Sequence, residues 1–284
     1  MSTLIKSLSW ILAIVVIVLL FITYTKKADN IGNWREDLQK TARTNVRADN
    51  TVELFNLRDY TYSLGTTTSR TWIATTTVYV DDIESATFYL EPFPYWSQVG
   101  HTFLSFTLSD GTSLAFSIEA KIEQGDTYSA LRGLFNDYEL ALQWGFERDF
   151  VSRRILQLET NLYRYPLDIS KEEAGALFVA MALETERVAQ HPRFYNTLTE
   201  NCTNILSQTV NSWVPNTLLP DIAWVLTGQS DAYLMREEFI DTKGLTLDEM
   251  RERANLAHLR KEILDIRDLP PQEFSRTLRA LSER

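Results

Sequence analysis

Residues 7–25 are nineteen consecutive residues without a charge, with WILAIVVIVLLFITY at their centre. No other feature limits the fold of this chain so tightly. A helix that crosses a bilayer needs about 20 largely apolar residues. This run is apolar on every face, unlike a helix that packs one side against a globular core. The residues that close it, ITYTKK, lack the small-x-small pattern of a signal-peptidase site. The expectation is an uncleaved signal-anchor over residues 1–27 that crosses the membrane once. Charge does not set its direction, because Lys6 and the amino terminus flank one end and Lys26 and Lys27 the other.

After residue 27 no second run of this kind occurs, so the remainder reads as a soluble body. The chain of 284 residues has 28 basic and 38 acidic residues; beyond residue 27 they number 25 and 38, a net charge of −13. Such a body is repelled by polyphosphate, which excludes a general nucleic-acid partner. It also has no electrostatic hold on anionic lipid. One cysteine and three histidines, His101, His191 and His258, exclude a disulfide framework and a multi-cysteine metal site. No metal and no cofactor are expected.

Residues 28–50 are polar, include WREDLQKT, and read as a linker or short helix. Residues 51–63, 71–80 and 86–93 are rich in Thr, Val, Tyr and Phe and read as strands. HTFLSFTL and TSLAFSIEA flank Ser109-Asp110-Gly111 and read as a hairpin; residues 153–167 read as a further strand ending at Pro166. The pattern then becomes helical. Ser170 and Glu173 form a capping box ahead of Ala174, Leu177, Phe178 and Met181, and this helix should reach Gln190, before His191-Pro192. A second helix should open at Asn201-Cys202 and stop before Pro215, with Ile205, Leu206, Thr209, Val210 and Trp213 on one face. Residues 246–284 read as charged helix broken at Pro270-Pro271. The body is therefore expected to be α+β, with a main domain over 51–225 and a helical extension over 226–284. His191 reads as a loop residue and His258 as part of a solvated helix.

The hairpin makes a sharper statement. A three-residue turn with Gly111 at its left-handed position sets Thr107 opposite Ser113, Ser105 opposite Ala115, Phe103 opposite Ser117 and His101 opposite Glu119. Side chains alternate along a strand. One face then carries Leu104, Phe106, Leu108, Leu114, Phe116 and Ile118 and belongs to a core. The other carries His101, Ser105, Thr107, Ser117 and Glu119. Directly opposed side chains lie about 5 Å apart at Cβ, so Glu119 can hold one imidazole nitrogen of His101. A plain salt-bridged surface pair is the alternative.

Cys202 follows the polar, turn-forming stretch YNTLTEN and opens a helix. Unsatisfied N–H groups and the positive end of the helix dipole favour its thiolate. A buried structural thiol is the alternative. Taken with His101, the pattern suits attack of Cys202 on an acyl carbon, with His101 as base and Glu119 as its orienter. Histidine precedes cysteine, the reverse of papain-like enzymes, as a circular permutation would produce.

The blocks GHTFLSF, SIEAKIEQGDTYSALRGLF, YEL, ERD, RRILQL, YPLDIS and FYNTLTENCTN resemble, in order, the periplasmic domain of Lnb-type bacterial lipoprotein N-acyltransferases. The resemblance spans roughly Trp34 to Trp213. It implies a permuted NlpC/P60, papain-like fold akin to the lecithin:retinol acyltransferases, with an antiparallel sheet and packed helices, and carries the family's cysteine and histidine onto Cys202 and His101. Glu119, in the SIEA block, is the expected third catalytic member. Tyr195 and Asn201, in the cysteine block, and Ser117, on the face of His101, are expected to meet substrate. The enzymes resembled have further membrane spans after this domain, whereas this sequence continues into a charged helical tail. The resemblance places the chain in the bacterial inner membrane, held by residues 7–25, with its body in the periplasm and a lipid or lipoprotein as substrate. The leading expectation is cysteine-dependent acyl transfer. A papain-like amidase or peptidase of the envelope and a non-catalytic envelope scaffold are the alternatives.

Overall fold

The computed structural model describes residues 2–214 and 217–283; the side chains of residues 2–6, 8, 12, 16, 19, 20, 22 and 24 also lie outside the description. The first element is helix α1 (Ser2–Thr25). Among the described residues no helix is long and apolar enough to cross a membrane, and the expected span over 7–25 falls partly on residues outside the described set.

Eight strands form one mixed sheet: β1 (Arg43–Val46), β2 (Thr51–Ser63), β3 (Thr66–Tyr79), β4 (Ile83–Phe93), β5 (Trp96–Leu108), β6 (Ser113–Lys121), β7 (Glu139–Phe146) and β8 (Tyr163–Pro166). Their order is β1-β2-β7-β6-β5-β4-β8, with β3 paired to β2. The sheet is mixed rather than antiparallel throughout as expected: all neighbours are antiparallel except β2 and β7, which meet in parallel at Arg58 and Gly145 because a long connection separates them in the chain. The Thr-, Val- and Tyr-rich runs form strands as expected. The stretch 28–50, read as a linker, contributes β1, whose Thr44 hydroxyl donates to the Ala182 carbonyl.

One expectation fails. Residues 153–167 are not a continuous strand: helix α2 (Glu147–Ser152) runs on into a π-helical turn over Arg153–Gln157, and only Tyr163–Pro166 pairs as β8. Periodicity could not reveal this, because what fixes the turn is charge. Asp149, fully buried on α2, accepts from both Nε and Nη2 of Arg58 and from the Tyr60 amide. The segment is pinned to β2 by partners far away in sequence.

Both faces of the sheet are covered. Helix α3 (Lys171–Gln190), opened by the Ser170/Glu173 capping box, and α4 (Cys202–Trp213), capped by Asn201, pack on the expected apolar face. Leu104, Phe106, Phe116, Trp144, Phe178 and Ile205 fill that core. The opposite face is also buried: Ser105 and Ser117 have no solvent exposure. There Tyr89, Phe103 and Ala115 meet Phe150 and Ile155, and beyond them the C-terminal helices α7 (Arg260–Ile266) and α8 (Pro271–Ser282) through Ile263, Phe274 and Leu278. Two further helices, α5 (Ser230–Arg236) and α6 (Leu247–Ala254), complete the set. Pro271 is the first residue of α8, where its fixed φ suits a helix start.

Candidate functional site

The site lies at one end of β5 and β6, against the first turn of α4. Asn201 shapes that turn. Its carbonyl side-chain oxygen caps the Asn204 amide at 2.9 Å, and its amide donates to the carbonyls of Thr197 and Trp224 at 2.9 and 2.8 Å. Asn204 donates to the same Trp224 carbonyl. All three side-chain hydrogen bonds of Asn201 therefore go to the chain's own backbone. The arrangement holds Cys202 as the first residue of α4, buried to 3% exposure.

The β5–β6 register is the one expected, Phe103 with Ser117 through Thr107 with Ser113, but the ladder stops before His101. On its other edge β5 pairs His101 with Glu91 of β4; toward β6 the register keeps His101 in line with Glu119, but the expected backbone pairing does not extend that far. The side chains meet nonetheless. Nε2 of His101 lies 2.8 Å from the Ser117 hydroxyl and 3.3 Å from Oε1 of Glu119. The Ser117 hydroxyl in turn donates to Oε1 of Glu119 at 2.8 Å. Ser117 thus stands between the imidazole and the carboxylate as well as beside them, and it faces His101 rather than open solvent.

The electrostatics follow from burial and charge together. Burial disfavours an imidazolium, but the Glu119 carboxylate and hydrogen bonds with Cys202 and Glu119 outweigh it and raise His101 to about 9. Burial also raises Glu119, yet the His101 charge, the hydrogen bond to it and Arg154 hold the carboxyl well below the usual range. For Cys202, burial pushes the thiol up, while the hydrogen bond and charge of His101 bring it below its ordinary value. All three shifts run toward the charged form, thiolate, imidazolium and carboxylate.

Sequence reasoning missed Arg154 and Glu91. Arg154, presented by the π-helical turn and 1% exposed, lies 3.0 Å from Glu91 and 3.7 Å from Glu119, with its guanidinium over the Phe103 ring. The signal was there in RRILQL: two adjacent arginines among apolar residues are costly to bury without carboxylate partners. Arg153 pairs with Asp37 in the same manner.

These groups open into a cavity of about 350 Å³. Phe93, Trp96, Val99, Ile118, Ile122 and Leu226 give it largely apolar walls, and His101, Glu119 and Cys202 stand along it. Tyr195 and Tyr128 line it too, their hydroxyls 3.4 Å apart, with burial raising both phenols. His191 caps the end of α3 and His258 lies exposed in a 3-10 turn, both away from this cavity. Among the described residues no cluster of His, Cys, Asp or Glu is arranged to hold a metal ion. Chemically, a thiolate beside an oriented imidazolium can attack an acyl carbon and protonate what leaves.

Residues 69–228, more than half of the chain, match the family model of the Lnb N-terminal periplasmic domain, and His101, Glu119 and Cys202 all fall inside the match. No curated protein and no solved structure matches the chain.

Proposed function

The chain belongs to the Lnb N-terminal periplasmic domain family, a domain of the bacterial envelope, and from that premise we propose that it is a membrane-anchored cysteine acyltransferase. The observation that supports the reading is that Cys202, His101 and Glu119 line one cavity, with Nε2 of His101 held by Ser117 and Glu119. That leaves Nδ1 as the ring nitrogen for the thiol. Helix α1 is the anchor, and the permuted papain-like arrangement, histidine strand before cysteine helix, is the fold relationship.

The reaction begins with Cys202 as thiolate. It attacks the carbonyl carbon of an ester; the C–S bond forms and the C–O bond breaks, and the departing alkoxide takes its proton from the His101 imidazolium. The backbone N–H of Cys202, one of the orphan donors of the first turn of α4, receives the developing oxyanion in this reading. In the second half an amine attacks the thioester and gives its proton to His101. The C–N bond forms, the C–S bond breaks, and the thiolate returns. Glu119, directly and through Ser117, keeps the imidazole oriented and charged. Arg154 holds Glu119 ionised. Apolar walls on the cavity suit a hydrocarbon chain and favour acyl transfer over cleavage of a polar peptide.

The test is transfer from vesicles containing a phospholipid labelled in one acyl chain to a primary-amine acceptor. The full chain should acylate the amine and Cys202→Ser should not. Release of free fatty acid alone, with no acylated amine at any acceptor concentration, would assign hydrolysis instead.

A further inference from the structure

We propose that the rim of the Cys202 cavity is a bilayer-contacting surface, so that the thiol opens onto the same membrane that α1 enters. This rests on the reading of α1 as the anchor. The starting point is where α1 leaves the domain. Its end is fastened to the segment after β6: Asn136 donates to the Thr23 carbonyl, and Lys26 pairs with Asp137 at 2.7 Å and reaches the Asn136 carbonyl. That same segment carries Tyr128 and Ala130 into the cavity wall. Tyr128 in turn lies against Phe93, ring centroids 6.3 Å apart, at the tip of the β4–β5 hairpin. The exit of α1, the cavity wall and the hairpin tip are therefore one contiguous surface.

Large apolar side chains stand out from this surface. Tyr95, at the hairpin tip, is 102% exposed, and Trp96 beside it is more than half exposed. Leu131 and Phe135 protrude from the segment that holds α1, Ile31 from the residues just after it, and Leu198 from the opposite lip of the cavity. The charges nearby are turned on one another: Arg132 pairs with Asp126 and Asp137, and Lys26 with Asp137. Lys27, Asp29 and Glu123 are also exposed beside the exit of α1, but the largest side chains that project are aromatic and aliphatic, a composition that settles together with lysine at a membrane–water interface. A body of net charge −13 has no electrostatic pull toward anionic lipid, so the contact is apolar insertion next to an anchor already in the bilayer. A lipid-borne acyl donor could then enter the cavity without crossing water.

The experiment uses the full chain reconstituted into phosphatidylcholine vesicles, with Cys202→Ser as a cysteine-free background. Single nitroxide labels are placed through Tyr95→Cys, Leu131→Cys, Ile14→Cys in α1, and Glu84→Cys at the far end of β4 from the hairpin tip. Each label is read for relaxation by oxygen, which partitions into hydrocarbon, and by a water-soluble nickel chelate. Because Tyr95 and Leu131 are exposed, replacing them disturbs no packing. The proposal expects residues 95 and 131 to shift toward the high oxygen-to-nickel ratio of residue 14, while residue 84 stays nickel-accessible. Nickel-accessible labels at 95 and 131 with residue 14 in lipid would overturn the proposal and leave the anchor standing. Nickel access at residue 14 would overturn the anchor reading as well. Labels at 95 and 131 shielded from both reagents would report a second copy or another protein on the rim, and would also overturn it.

Discussion

At the residue scale, the site is a set of charges that would each be unfavourable alone. Burial works against the His101 imidazolium, the Glu119 carboxylate and the Cys202 thiolate, and each is shifted toward its charged form by its neighbours. Glu119→Gln removes the largest raising influence on His101. Burial then pushes the imidazole toward neutrality, and the thiol loses the positive charge that lowers it. Turnover should fall on the order of 10²- to 10⁴-fold, the upper end being the loss seen when a triad carboxylate is amidated. Ser117→Ala leaves the direct 3.3 Å contact in place and should cost less. The double variant should be no worse than Glu119→Gln alone, because the two residues serve one nitrogen. Full additivity in kcat/KM would show that they act separately.

The sign of the pH dependence follows from the same groups. His101 is raised above its ordinary value of 6.5, so its contribution to stability is fully present below about pH 6.5. That contribution is lost as pH rises through about 9. Unfolding midpoints should therefore decline across that window, and the decline should be absent in His101→Gln. The activity limb on the alkaline side should fall near pH 9, where the imidazolium that protonates the leaving group disappears. That His101 and Glu119 meet, and that Cys202 opens a helix, was legible in the sequence because a hairpin register and a helix start are local. The ladder ending before His101, the hydroxyl of Ser117 between ring and carboxylate, and Arg154 behind Glu119 depend on three segments meeting, and no local pattern encodes that.

At the element scale, α4 owes its start to Asn201. The asparagine, expected to meet substrate, lines the cavity, and its side-chain hydrogen bonds go to backbone of the chain. Asn201→Ala removes a helix cap, about 1 kcal/mol, and leaves the Thr197 and Trp224 carbonyls without that donor. Total destabilisation should be about 2–3 kcal/mol by denaturant unfolding. Asn201→Asp keeps the cap acceptor and should lie between. A fully stable Asn201→Ala that loses activity would return the residue to a substrate role.

A second contact fixes the other wall of the site. Thr227 accepts from the Gly100 amide and donates to the Gly100 carbonyl, locking the turn after residue 225 to β5 beside His101. At the next residue, Gly228, an added Cβ would collide with the Ser97 carbonyl oxygen. Gly228→Ala should therefore separate these segments, lowering both thermal stability and the reactivity of Cys202. Helix boundaries were readable locally, at Gln190 from the proline of His191-Pro192 and at Asn201 from the polar turn that leads into the helix. The π-helical turn over Arg153–Gln157 was not, since its stabilising partners are buried carboxylates on other elements.

At the scale of the whole molecule, the sheet is covered twice, and only one cover was visible in the sequence. The apolar face of the hairpin announced its own core. The second face mixes His101, Phe103, Ser105 and Ser117, and so reads as polar until the C-terminal helices are laid over Phe103 and Tyr89. The charged tail therefore matters to the site: Phe103, under the Arg154 guanidinium, belongs to the cluster that Phe274 and Leu278 complete. Phe274→Ala opens a cavity in that layer and should cost about 3–5 kcal/mol. It should also reduce turnover, although Phe274 is remote from the thiol. Unchanged unfolding would mean that the tail merely rests on the domain.

The central claim is that Cys202 carries the acyl group, and intact-mass spectrometry of the full chain tests it most directly. The protein is mixed with phospholipid vesicles, without amine acceptor, and quenched in acid within one turnover. The account predicts a mass increase equal to one fatty acyl group on the peptide containing Cys202, removed by neutral hydroxylamine and absent in Cys202→Ser. An unmodified Cys202 in a preparation that is transferring acyl groups would contradict it.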